Sequence, residues 1–213
     1  MLKIIIKDNG EPNVVKLTYE NIWREVKDIP GVELTVEQHW FDSLDTKNRY
    51  VCLLETDCLV NSGYFSSQIG LFKKNPMFRK LSMLSSATAV NNWDNKFYGY
   101  SLGNNYADGV IPNREKKSRS VYPVQIGYVP GAVIRLNMLK KALRDLKVNN
   151  SWENDLVYLS TQLSLAFWRQ GDGNPVHINP NTTYVTTEDY VNDIGKFDNE
   201  AGDLVNMFAK ESI

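Results

Sequence analysis

The sequence predicts an α/β fold built on a mostly parallel central sheet with flanking helices. Three observations carry that expectation. Leu2 to Ile6 is an apolar strand closed by the turn signal Asp8-Asn9-Gly10. Thr18 then stands as the expected N-cap of a helix through Val26, whose Ile22, Trp23 and Val26 make one apolar face. Pro30-Gly31 breaks the chain before a second strand, Val32 to Val36. Strand, helix and strand in that order imply a right-handed crossover between parallel neighbours.

Tyr50-Val51-Cys52-Leu53-Leu54 reads as a buried strand that joins the same sheet, and it ends in Glu55-Thr56-Asp57. The two acids stand at i and i+2, on one side of an extended chain. Like charges side by side at a strand end are unfavourable unless something positive neutralises them. A hard divalent cation does so best, and Mg²⁺ or Mn²⁺ prefers such oxygens together with a substrate's phosphates. Open α/β sheets also bind ligands beyond the carboxyl ends of their strands. Two solvated acids in a turn are the alternative reading.

Composition is compatible with a single domain over residues 1–213 that holds a sizeable core. Hydrophobic residues at 42% and charged residues at 23% are ordinary globular values, and a net charge of −1 exerts no global pull toward nucleic acid or anionic membrane. No apolar run approaches the roughly 20 residues that span a bilayer, and the start of the chain lacks a signal-peptide pattern. The two cysteines, Cys52 and Cys58, supply neither a disulfide framework nor a zinc signature. A cytoplasmic setting without membrane partners is expected.

Further motifs follow the acids in order. Cys58 to Phe65 leads into the apolar-periodic Ile69, Leu71 and Phe72. Tyr128-Val129-Pro130-Gly131-Ala132-Val133-Ile134-Arg135 precedes a helix-like run, Met138 to Leu146. Trp152-Glu153-Asn154-Asp155-Leu156 opens another helix that runs toward Arg169-Gln170-Gly171, with Leu156, Leu159, Leu163 and Phe167 on one face. This series resembles the GT-A class of nucleotide-sugar glycosyltransferases, most closely its large inverting group, over about residues 48 to 185. The family has a strand-end D-x-D, a small-residue element and an acid pair at a helix start, in that order. The chain departs from it in carrying Glu rather than Asp first, and in having only 54 residues before Glu55. An abbreviated nucleotide-binding half, residues 1–60, is therefore expected, followed by a donor-sugar and acceptor half, 61–187, and a tail, 188–213.

The resemblance implies a metal-dependent hexosyl- or pentosyltransferase that uses a nucleotide-sugar donor with Mn²⁺ or Mg²⁺. It implies that Asp57 reaches the metal and that Glu55 contacts the donor or a metal-bound water. It places Gly131 and Ala132 close to the donor sugar, where side chains would collide. The general base is the second residue of the acid pair. Matching the Leu-x-x-x-Ser pattern makes that Asp155, with Glu153 as second choice. Ser151 would cap this helix and leave Asp155 in its first turn, where the dipole keeps a carboxylate ionised; helix-start acids that only stabilise the dipole are the alternative. His177, 22 residues beyond Asp155, is implied as a metal ligand that suits Mn²⁺, against a structural strand histidine. His39 has no such context.

The segment from Ser85 to Val124 mixes Trp93, Phe97, Tyr98, Tyr100, Tyr106 and Tyr122 with Asn and Gly, which suits ring stacking or an aromatic subcore. Arg114 to Arg119 is a basic run that reads as a solvated loop or an anion contact. Compact transferases of the resembling type include ones that glycosylate modified bases in viral DNA, so nucleic acid is a candidate acceptor. Two other classes stay open: a different metal-nucleotide transferase, and a non-catalytic binding module on a degenerate GT-A fold.

Overall fold

The computed structural model describes residues 2–56, 58–74, 81–90, 96–97, 100–101, 109–110, 121–170 and 175–186. Asp57, the basic run at 114–119 and the tail from 187 onward lie outside the described residues, as do Trp93, Tyr98 and Tyr106.

The chain opens with β1 (Leu2–Lys7), α1 (Pro12–Val26) and β2 (Val32–Glu37), then β3 (Tyr50–Leu54), β4 (Leu59–Val60) and α2 (Tyr64–Lys74). The middle carries β5 (Met83–Val90), β6 (Lys96–Phe97), β7 (Tyr100–Ser101), β8 (Gly109–Val110) and β9 (Tyr122–Pro123). It closes with β10 (Val133–Arg135), α3 (Leu136–Asp145), α4 (Leu156–Gln170) and β11 (Val176–Thr186). The main sheet has the order β2-β1-β3-β10-β5-β11-β4, with β6 added on β5 and β9 on β11. Strands β1, β2 and β3 are parallel, β10 is antiparallel to both β3 and β5, and β11 is parallel to β5. Five strands therefore run one way, as a mostly parallel sheet requires. Between β2 and β3 the described chain holds only a 3₁₀ turn, Trp40–Ser43, in place of a crossover helix.

Alternation along the strands builds two cores. Ile4, Ile6, Cys52 and Leu54 face a layer with Ile22 and Val26 of α1 and Tyr64, Phe65 and Phe72 of α2. Ile5, Val51 and Leu53 face the other layer, with Leu139 of α3 and Leu159, Leu163 and Phe167 of α4. Every residue of β3 is buried, as parallel strands covered on both faces are. Burial raises the Cys52 thiol far above its ordinary range. None of the described helices is long and apolar enough to cross a membrane.

Two helix starts differ from expectation. Helix α1 begins six residues before Thr18, at Pro12, whose fixed φ and missing N–H suit the first helical turn. Thr18 is a buried mid-helix residue, and its hydroxyl donates to the carbonyl of Thr56. Ser151 lies inside a 3₁₀ turn, Asn150–Asn154, which Asn149 caps by accepting from the Ser151 N–H; α4 starts only at Leu156. The Pro at position 12 and the Asx side chain at 149 were the stronger local signals in each case.

Candidate active site

Ile6 pairs with Leu54 in the parallel ladder, so the carboxyl ends of β1 and β3 lie side by side. The next residues on each, Lys7 and Glu55, share one rim. A cavity of about 210 Å³ opens there, lined by Lys7, Asn9, Trp40, Glu55, Thr56, Glu153 and Leu156. Thr56 fixes the corner: its hydroxyl donates to the Lys7 carbonyl and accepts from the Asn9 N–H at 3.2 Å. Trp40 donates its indole N–H to the Leu54 carbonyl at 2.8 Å, and the Lys7 ammonium lies 5.6 Å from the centre of its ring. The turn signal at Asp8 to Gly10 is realised by two side chains, with Asp8 accepting from Gly10 N–H and Asn9 from Glu11 N–H. A groove of about 520 Å³ also borders this turn, lined by Asp8, Gly10, Pro12, Tyr19 and Val36 among others.

Glu153 is the buried acid of the site, its side chain 0% exposed. Its Oε1 accepts from the Phe41 N–H at 3.3 Å. Its Oε2 lies 3.5 Å from Lys7 Nζ and 3.4 Å from His39 Nδ1, and Lys7 also donates to the Glu153 carbonyl at 3.2 Å. A carboxylate removed from water needs such partners. Among the described residues none meets Oε2 with hydrogen-bond geometry, so Lys7 and His39 are its nearest polar neighbours there.

Glu55 is held from β11, three strands across the sheet. The Tyr184 hydroxyl of β11 donates to Glu55 Oε2 at 3.0 Å and accepts from the Glu55 N–H at 3.3 Å. Tyr184 is fully buried, and that burial, with Cys58 and Glu55 nearby, pushes its hydroxyl well above the usual range. It stays protonated and so remains a donor to the carboxylate.

The other expected site residues fall elsewhere. Asp155 is exposed and acts as the helix cap, its Oδ1 accepting from the Tyr158 N–H at 2.9 Å. Glu153, two residues earlier, is among the residues that line the cavity, with its side chain buried. His177 pairs with Leu84, which is level with Cys52 through Val133. It therefore sits within the sheet, three strands across from β3 and short of its carboxyl end, and the structure does not bring it to Glu55. Ala132 is fully buried in the second core and does not line the cavity. Gly131 has φ +78°, and an added Cβ would stand 2.7 Å from both Tyr184 Cδ2 and Tyr64 Oη. Two aromatic neighbours already account for its small size. Among the described residues no three His, Cys, Asp or Glu side chains gather to hold a metal.

Lys7, Trp40 and Thr56, which line the cavity, and His39 and Tyr184, which contact its two glutamates, are members of the candidate site that sequence reasoning did not propose. Lys7 had a usable signal, since it ends the first parallel strand just before the turn. Nothing local marks His39 or Tyr184, whose partners lie 114 and 129 residues away in sequence.

No family model and no curated protein matches the chain. Among solved structures the fold is similar to that of S. aureus TarS, residues 1–349, with a TM-score of 0.55 and 8% identity over 87% of this chain and 60% of that one. It is also similar to GalNAc-T7, crystallised with UDP, GalNAc and Mn²⁺, with a TM-score of 0.58 and 10% identity over 88% of this chain and 43% of that one. The chain thus spans less than two thirds of either structure. Both are GT-A glycosyltransferases. The mostly parallel sheet with its flanking helices matches that architecture, and the chain has a GT-A fold.

Proposed function

We propose that this chain is a glycosyltransferase that moves a sugar, with inversion, from a nucleotide-diphosphate donor to an acceptor hydroxyl. The observation that carries this reading is the meeting of Lys7, Glu55 and Glu153 around one cavity at the carboxyl ends of β1 and β3. UDP-sugars are the first donors to test, because GalNAc-T7 was crystallised with UDP. The cavity is smaller than the roughly 300 Å³ at which ligand pockets begin. The donor would therefore extend past the Asp8–Gly10 turn into the groove beside Tyr19.

The donor set fits a hard cation, since Glu55 presents a carboxylate at the rim and Asp57 follows at i+2. These two would hold Mn²⁺ or Mg²⁺, which when bound neutralises charge on the departing diphosphate. Lys7 adds positive charge at the same wall. Glu153 Oε2 takes the proton of the acceptor hydroxyl as that oxygen bonds the anomeric carbon and the bond to diphosphate breaks. Glu153 takes precedence over Asp155 in this role because the Asp155 carboxylate is engaged in capping α4. His177 is left out of the proposed metal set by its place within the sheet.

A screen of UDP-sugars against a panel of acceptors, nucleic acid included, tests the reading. Thermal stabilisation by a UDP-sugar that requires Mn²⁺ or Mg²⁺ is expected, with slow donor hydrolysis in the absence of acceptor. Tight, metal-independent binding would sink it. One observation favours a second reading, a binding module on a degenerate GT-A fold: the Glu153 side chain is sealed beneath Lys7 and His39. Donor binding with no hydrolysis and no transfer would select that module.

A further inference from the structure

We propose a second ligand site, for phosphate-bearing anions, at the opposite end of the sheet from the candidate active site. A cleft of about 500 Å³ opens there, lined by Asn48, Arg49, Arg135, Leu136, Asn137 and Lys140. The register locates it: Arg135 of β10 pairs with Tyr50, the first residue of β3, whereas Glu55 follows the last. At about 3.3 Å per residue, roughly 16 Å of strand separates the two places. The site does not rest on the proposed transfer activity.

Three of the described lining residues are cationic and none is acidic. Like charges around one concavity repel, and an oxyanion is the ligand that relieves them. Arg135 is the fixed member. Its Nε donates to the Leu81 carbonyl, and its guanidinium carbon lies 5.7 Å and 5.5 Å from the ring centres of Tyr50 and Phe72. A guanidinium held in one plane loses little freedom on meeting phosphate oxygens, for which its fork is shaped. Arg49 and Lys140 are exposed and complete the ring of charge. Lys140 does lie 3.7 Å from Asp45 Oδ1, and Asn48 donates to Glu33 Oε2 at 2.8 Å. The lysine pair is fully exposed on its acidic side and weak enough to yield to a better anion. Helix α3 starts on the same wall with no side-chain cap among the described residues, so its positive end adds to the three cations that carry the proposal.

The test titrates the full chain with inorganic phosphate and, separately, with dimethyl phosphate at low ionic strength, by calorimetry and amide NMR. Saturable binding is expected, with shifts centred on Asn48, Arg49 and Asn137. Arg49→Ala combined with Lys140→Ala, two exposed changes outside both cores, should weaken it about tenfold or more. Lys7→Gln, at the other cavity, should leave it unchanged. Tighter binding of inorganic phosphate points to a terminal monoester, and equal binding of dimethyl phosphate to a phosphodiester chain. Binding that does not saturate, that survives the double variant, or that disappears with Lys7→Gln would overturn the proposal.

Discussion

The Lys7 ammonium lies 3.5 Å from Glu153 Oε2 and donates to the Glu153 carbonyl at 3.2 Å, joining the end of β1 to the turn before α4. The pair spans 146 residues of sequence. It neutralises a fully buried carboxylate beside the cavity proposed to bind a diphosphate, so one lysine serves both the fold and the site.

Removing the cation should therefore destabilise the chain. Breaking a buried pair costs about 3–5 kcal/mol, but Lys7 is partly exposed and His39 remains, so Lys7→Met should cost about 1–3 kcal/mol. Urea unfolding measures this. Adding Glu153→Gln to Lys7→Met should restore part of the loss, because the orphaned charge is then gone; two strictly additive losses would show that the pair carries no coupling.

The two helix-start acids should separate cleanly. Glu153→Gln is expected to lower turnover by about 10²–10⁴-fold with little change in donor affinity. Asp155→Ala should leave turnover near normal and cost about 1 kcal/mol through the lost cap on Tyr158 N–H. The opposite pattern would return the base to Asp155.

Metal dependence is read at the strand end. Asp57→Asn and Glu55→Gln should each remove the Mn²⁺ requirement of donor binding while the far-ultraviolet circular dichroism stays the same. Tyr184→Phe, which deletes a donor to Glu55 Oε2, should weaken metal-dependent binding less than either. A Phe variant weaker than both would place Tyr184 itself in contact with the ligand.

Gly131→Ala should damage the fold rather than donor recognition. The position needs φ +78°, and the new methyl meets Tyr184 and Tyr64 at 2.7 Å. Strain and overpacking together suggest a loss of about 2–4 kcal/mol. A well-folded variant with normal stability and lost donor binding would show that the glycine serves the sugar.

Alkaline pH should unfold the protein early. Burial, acting first, holds the Tyr64 and Tyr184 hydroxyls well above their usual value. Above about pH 10 the unfolded chain releases protons that the folded one retains, so stability falls as pH rises. Urea midpoints compared at about pH 8 and about pH 11 should show this, and Tyr184→Phe should flatten the slope. A slope unchanged in that variant would rule out Tyr184 as a contributor.

By itself the sequence determined the mostly parallel α/β frame, the all-buried β3 that runs up to Glu55, and the apolar face of α4. Those features are local: strand alternation, strand-end polarity and helical spacing are written in neighbouring residues. It did not locate the start of α1, because Thr18 looked like a cap and is instead a buried link to Thr56. Tertiary structure decided which residues meet at the candidate site. Whether Glu153 or Asp155 meets Lys7 and His39 depends on a short 3₁₀ turn before α4 that buries one acid and leaves the other on the helix end. Whether a β11 residue approaches Glu55 depends on its place along the strand: Tyr184 reaches Glu55, whereas His177, seven residues earlier, is level with Cys52. Lys7, His39 and Tyr184 join the two glutamates only because the sheet brings distant strand ends together, and no pattern within a few residues of any of them encodes that meeting.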